Sequence, residues 1–264
     1  MQEALLATAL EARAAAPDDA DAWIWVGRRQ AYLGRFEDAV ATFGEGLERF
    51  PGDARFLRHR GHRRITQRRL AAAIADLERA AELVAGRPDE VEPDGLPNER
   101  GIPTSTLQTN IWYHLGLARY LEADFAGAAG AWERCRDLAA NPDMLVAATY
   151  WLYLSLRRAG EEEAATRALA PIGEDLDVIE NDSYYDLLRA FEHGTGVEAL
   201  LAEAEADRAA VAYPTTAYGA AAWTLLEGDA AAARRIFAAI LDSPAVTAFG
   251  YIAAEAELAR LAGL

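Results

Sequence analysis

TNIWYHLGLARYLEADFAGAAGAWERCRDLAANP, residues 109–142, is the stretch from which the fold can be read. Counted as one unit of 34 residues, it puts Trp112, Leu115, Gly116, Ala128, Trp132 and Cys135 at places 4, 7, 8, 20, 24 and 27. Large groups at 4, 7 and 24 fill the space between two helices, and small ones at 8, 20 and 27 let the backbones approach. Such a helix-turn-helix hairpin cannot bury its apolar face alone, so the pattern predicts a stack of hairpins around a shared inner surface.

The same frame extends in both directions. Upstream, Ala20 to Asp53 carries Trp23, Val26, Gly27, Ala39, Phe43, Gly46 and Pro51 at matching places, with Gly34 in the hairpin turn. Ala54 to Arg87 follows without a gap, with Leu57, Gly61, Ala73, Leu77 and Ala80. Residues 1–19 read as a lone alanine-rich helix closed by Pro17. Downstream, repeats three to six span residues 109–244, kept in phase by Tyr113, Tyr150, Tyr184 and Tyr218, all at place 5. Residues 245–264 read as a terminal capping helix with Phe249 and Ile252 inward. Trp23 and Trp112 lie 89 residues apart, which is two periods plus 21, so residues 88–108 interrupt the frame. Four prolines and two glycines exclude helix from most of that insert. Ser105 and Gln108 form a capping-box pattern that predicts the start of the next helix near Thr106.

With these residues in view, the chain resembles the tetratricopeptide repeat (TPR) proteins over nearly all its length outside the insert. The segments Asp89 to Leu121, Asn141 to Ala147 and Phe249 to Leu261 further resemble a group of bacterial TPR proteins with no assigned activity. The resemblance implies an all-α, right-handed α-solenoid of hairpins with one long inserted loop, a single body over residues 1–264. It brings no catalytic residues.

Composition limits the partners. Apolar residues make up 52% of the chain, much of it alanine, as expected for a folded helical protein. The formal charge of −16 is uneven: through Arg87 there are 14 Arg against 13 Asp plus Glu, and after it 12 against 29. An acidic body opposes binding to nucleic acid or an anionic membrane surface. Seven arginines between Arg55 and Arg69 spread over several helix faces and do not reverse that reading. The longest charge-free run, Ala209 to Leu226, contains Pro214, Thr215, Thr216 and Gly219 and is no membrane span. The single cysteine, Cys135, stands at a small packing place and is expected to be buried and inert. No basic-then-apolar leader opens the chain, so the expected location is cytoplasmic, or periplasmic or exported if a signal was trimmed.

In the TPR fold the first helix of each hairpin lines the inner surface. That rule gives Ile24, Tyr120 and Arg158 together with the candidate site residues, which are Trp25, Arg28 and Tyr32 from repeat one, Arg55, Arg58, His59 and His62 from repeat two, Asn110, Tyr113 and His114 from repeat three, and Tyr150, Trp151 and Arg157 from repeat four. Arginine forks grip carboxylates or phosphates at two points, and aromatic rings add contact area at small entropic cost. The expected function is a non-enzymatic scaffold holding a peptide with an acidic or carboxylate-bearing segment, or a small anionic ligand. The alternative is a hydrolytic enzyme acting on an anionic substrate in the same groove. His59, His62 and His114 hint at a metal, but no carboxylate or thiolate ligand is fixed beside them, so neither metal nor cofactor is expected. No nucleophile elbow, phosphate loop or metalloprotease motif is present. The insert is expected to fold over the groove, its acids Asp89, Glu90, Glu92 and Asp94 facing the arginines. Leu96 and Ile102 are expected to find apolar partners among Trp25, Tyr113 and Trp151.

Overall fold

The computed structural model describes residues 1–263. Fourteen helices and an isolated two-residue β-bridge make up the regular structure among them. The backbone divides into two compact units, Met1–Ala118 and Arg119 onward.

Unit 1 begins with α1 (Gln2–Ala15), then the hairpins α2 (Ala20–Tyr32) with α3 (Phe36–Arg49) and α4 (Ala54–Thr66) with α5 (Leu70–Val84). After the insert comes α6 (Leu107–Leu121), within which the unit boundary falls. Small-to-large pairing holds the hairpins together. A Cβ on Gly27 would meet the Phe43 ring at 2.4 Å, and one on Gly61 would meet Leu77 Cγ at 2.7 Å. Between hairpins, Gly46 accepts the Phe56 ring in the same way. Asp19 and Asp53, one period apart, cap α2 and α4 by accepting the amides of Asp21 and Arg55.

Unit 2 contains α7 (Phe125–Asp137), α8 (Pro142–Arg158), α9 (Glu162–Ala168), α10 (Asp182–His193), α11 (Val197–Glu205), α12 (Tyr213–Leu226), α13 (Ala230–Ile240) and α14 (Phe249–Ala262). Its core is aromatic: Trp132 stacks on Trp151 at 6.0 Å, Phe191 on Trp223 at 5.1 Å, and Tyr150 tilts against Tyr184 at 4.6 Å. The connection after α9 is pinned by the fully buried Asp143, whose carboxylate accepts the amides of Ile179, Glu180 and Asn181. Cys135 is fully buried, and burial pushes its thiol well above the usual range.

The backbone carries its own signature of the repeat. Residues 34, 68, 123, 160, 194 and 228, each at place 15 of its 34-residue unit, all have positive φ. Four are glycine, which adopts that conformation freely; Arg68 (φ 60°) and Ala123 (φ 63°) do so against steric resistance.

The helix cap at the end of the insert differs by one residue from the expected box. Thr106 and Thr109 exchange hydrogen bonds, the Thr109 amide donating to Thr106 Oγ1 (3.2 Å) and the Thr106 amide to Thr109 Oγ1 (2.9 Å). Gln108 instead donates to the Arg87 carbonyl, and Ser105 Oγ accepts from Asn110. A threonine pair spaced by three satisfies the first-turn amides as a Ser/Gln box would, which is why the sequence admits either register.

Candidate functional site

Within unit 1, α2, α4 and α6 share a face, and the insert lies on it. Helical spacing aligns Trp25, Arg28, Arg29 and Tyr32 on α2. Arg28 lies over the Trp25 ring (4.4 Å) and donates to Tyr32 Oη (3.2 Å); Arg29 lies over the same tryptophan at 4.8 Å. From α4 come Arg58, His59, His62 and Arg63, and from α6 Asn110, Tyr113 and His114.

The centre of the face is occupied by an acid from the insert. Glu92, whose side chain is 10% exposed, sets Oε2 2.9 Å from Nε of the buried Arg58. Asn110 Nδ2 donates to the same oxygen at 3.2 Å and to Ser105 Oγ at 2.9 Å. The main chain that follows is held as well: Arg28 Nη1 donates to the Pro93 carbonyl (2.7 Å) and Arg29 Nη1 to the Gly95 carbonyl (3.4 Å). The arginines therefore meet a negative charge and two carbonyl dipoles of one short segment of the insert.

The histidines lie beneath this contact as neutral groups. Arg58 Nη1 donates to His59 Nδ1 (2.9 Å), which leaves the His59 proton on Nε2, 3.8 Å from Glu92 Oε1. His114 donates from Nδ1 to the Asn110 carbonyl (2.6 Å), and its ring packs on His62 at 4.1 Å. Burial first, and the nearby arginines second, hold all three well below the ordinary histidine value. Among the described residues there is no group of three or more His, Cys, Asp or Glu able to hold a metal ion.

Positive charge exceeds negative charge on this face. Arg28, Arg29, Arg58 and Arg63 lie on it, and the buried carboxylate of Glu92 pairs with Arg58 alone among them. Arg63 lies 5.9 Å over the Phe36 ring with no ion-pair partner among the described residues. Burial, then the charge of Arg58, lowers its pKa to about 10.

Four sequence-derived site residues lie elsewhere. Arg55 joins the two hairpins, binding Asp53 (2.6 Å) and Asp21 (2.5 Å); chiefly the bond to Asp53 raises its pKa. Tyr150 and Trp151 are core residues of unit 2, 0% and 1% exposed, and Arg157 pairs with Glu227 (3.0 Å) and Tyr153 (2.7 Å) there. Tyr150 and Trp151 share places 5 and 6 with Arg58 and His59, hence the expectation of a groove position; the rings of Tyr120, Tyr184 and Tyr218 cover the two aromatics instead. Leu96 and Ile102 also depart from expectation, at 58% and 44% exposed. Polar contacts, not apolar ones, seat the insert.

The repeat rule misses Arg29, Arg63 and Glu92. Arg29 and Arg63 share place 10, one period apart, so their recurrence is a visible signal. Glu92 is indistinguishable by sequence from the three other acids near it.

No protein-family model matches the chain, and no curated protein matches it. Among solved structures it is similar to YrrB, described as a TPR protein with an unusual peptide-binding site, with TM-score 0.50 and 14% identity over 94% of this chain and 97% of that one. It also aligns with a chain of the Naa15/Naa10 assembly bound to HypK-THB, with TM-score 0.42 and 18% identity, over 90% of this chain and 33% of that one. The YrrB likeness and the repeated hairpins establish the fold: this is an all-α chain of TPR type.

Proposed function

We propose that the chain is a non-enzymatic binding scaffold whose unit 1 face receives an extended polypeptide segment bearing a carboxylate. The observation that carries this reading is the treatment of Glu92. A buried guanidinium and an amide meet its carboxylate while two further arginines take the carbonyls of the residues after it. Side-chain charge and main-chain dipoles are read together, which suits a peptide better than a small anion. YrrB, of like fold, is described by its peptide-binding site, and that likeness supports the same general use. No helix of the described residues is long and apolar enough to cross a membrane.

The test is an NMR titration of the full chain with an extended acidic peptide and with its Glu→Gln counterpart, followed through the arginine Nε–H signals. The acidic peptide should shift the Arg28 and Arg58 signals and weaken with added salt, and the neutral one should bind at least about tenfold more weakly. Equal binding of the two peptides would overturn the reading.

A further inference from the structure

The seat of Glu92 is filled by the chain's own insert, and the shape of that seat says more than that an acid is welcome. We infer that Glu92–Gly95 is a resident ligand that occupies the face in cis, and that the partner able to replace it is an extended segment with a glutamate followed three residues later by a glycine. This rests on the peptide-binding reading above and narrows it.

The spacing of contacts comes first. The carboxylate of Glu92 meets Arg58, the carbonyl one residue on meets Arg28, and the carbonyl three residues on meets Arg29. Three arginines on two helices thus measure out one four-residue stretch. Gly95 closes that stretch. A Cβ there would lie 2.0 Å from Tyr32 Oη and 2.8 Å from Cζ, and Gly95 is not among the positive-φ glycines. The close approach of the Tyr32 ring, not the backbone, selects glycine at this place, so a competitor with a side chain there has to displace the half-buried Tyr32.

The base of the insert is tied by hydrogen bonds, the last of them from the Glu92 amide to the Ser105 carbonyl (3.3 Å). Asp89 accepts from Thr106 Oγ1 (2.6 Å) and the Gln108 amide (3.0 Å), and the Leu107 amide donates to the Glu90 carbonyl (2.8 Å). Beyond the base, Leu96 and Ile102 stay exposed, so neither of these large apolar side chains anchors the tip. A segment tied at its base and held at its tip by polar contacts can leave and return without unfolding the hairpins. The face also keeps a surplus of positive charge. Arg63 has no ion-pair partner among the described residues, and a competitor carrying a second carboxylate gains an interaction that the insert does not make.

A tethered segment has an effective concentration on the order of millimolar, so a free peptide of equal intrinsic affinity competes poorly until the tether's contacts are weakened. The experiment measures the affinity of a fluorescent peptide of sequence VEPDGLP, which is residues 91–97, for the full chain and for its Glu92→Gln variant. The variant should bind it at least about tenfold more tightly than the native chain. The same peptide with alanine in place of its glycine should lose at least about tenfold on the variant. Gly95→Ala, which forces the insert off Tyr32 while keeping Glu92, should reproduce the gain if Glu92→Gln fails to fold. Equal affinity for native and variant chains overturns the cis competition, and equal binding of the glycine and alanine peptides overturns the glycine requirement. If acidic peptides without the Glu-x-x-Gly spacing bind the variant as well as VEPDGLP does, this inference fails and the broader peptide reading stands. If no acidic peptide binds either chain, both fail.

Discussion

Each unit buries one glutamate among arginines, and the two differ in what carries the glutamate. In unit 2, Glu257 is fully buried, 2.5 Å from Arg158 Nη1 and 2.8 Å from Arg260 Nη2. It belongs to α14, whose Ile252, Ala253 and Ala254 are also buried, so apolar packing fixes the helix whether or not the charges pair. In unit 1, Glu92 sits on an insert whose large apolar side chains face solvent. Similar ion-pair chemistry is a permanent part of the core in one case and a removable contact in the other. What decides is the apolar surface that accompanies the charge.

The contrast between the units should be largest at Glu257. Glu257→Gln leaves Arg158 and Arg260 without their shared carboxylate in a site that α14 cannot vacate, and should cost about 3 kcal/mol, the low end for a broken buried pair because both arginines retain some exposure. Glu92→Gln should cost about 1 kcal/mol or less, because the insert can lift and let its arginines hydrate. Denaturant melts of the two variants measure the difference directly. Equal losses would mean that the insert is as firmly anchored as α14. Hydrogen exchange sharpens the same point: the amides of Glu92, Asp94, Gly95 and Leu96 should exchange far faster than those of α14, and Glu92→Gln should quicken only the former.

Acidification gives the next largest effect and bears on unit 1. His59, His62 and His114 have folded pKa values well below the ordinary one, with burial the leading cause. An unfolded histidine titrates near about 6.5, so below that pH the unfolded chain binds protons that the folded chain refuses. Their contribution is constant at neutral and higher pH and is lost as pH falls through about 6.5, at a slope of up to about 1.4 kcal/mol per pH unit for each histidine. Urea midpoints should therefore drop between roughly pH 7.5 and 5.5, by an amount equivalent to about 1–3 kcal/mol. His62→Asn with His114→Asn should flatten that drop. An unchanged slope in the double variant would show that the titrating groups lie elsewhere.

How much of this can be read from the sequence follows from the same contrast. The hairpins are legible because Gly27 with Phe43 and Gly61 with Leu77 obey a steric rule that recurs every period. Arg28, Arg58, His59, His62, Asn110 and His114 are legible as residues of one shared face because the repeat places recur. Tyr150 and Trp151 are misplaced by it because a repeat place specifies a direction from the helix and not what covers it; in unit 2 other aromatic rings do. Glu92 is illegible as the partner because nothing in a proline-rich stretch fixes which of its acids reaches an arginine. Its position depends on the main-chain carbonyl contacts of Pro93 and Gly95, which no pattern of side chains announces.

The smallest effect compares the units at one shared place. Arg68 in unit 1 and Ala123 in unit 2 hold the left-handed turn conformation that glycine supplies at residues 34, 160, 194 and 228. A Cβ in that region costs roughly 1–2 kcal/mol, and glycine returns part of the gain through the larger entropy it loses on folding, roughly 0.5–1 kcal/mol. Ala123→Gly should therefore raise stability by about 0.5–1 kcal/mol, because the removed methyl is the main change. Arg68→Gly should gain less, since the arginine donates from Nη1 to the Thr66 carbonyl (2.5 Å) and that bond goes with the side chain. Chemical denaturation of both single variants resolves the difference only if each transition is followed by a local probe in its own unit. A loss of stability in Ala123→Gly would mean that the alanine methyl packs well enough to outweigh its backbone strain, and that place 15 is not equivalent in the two units.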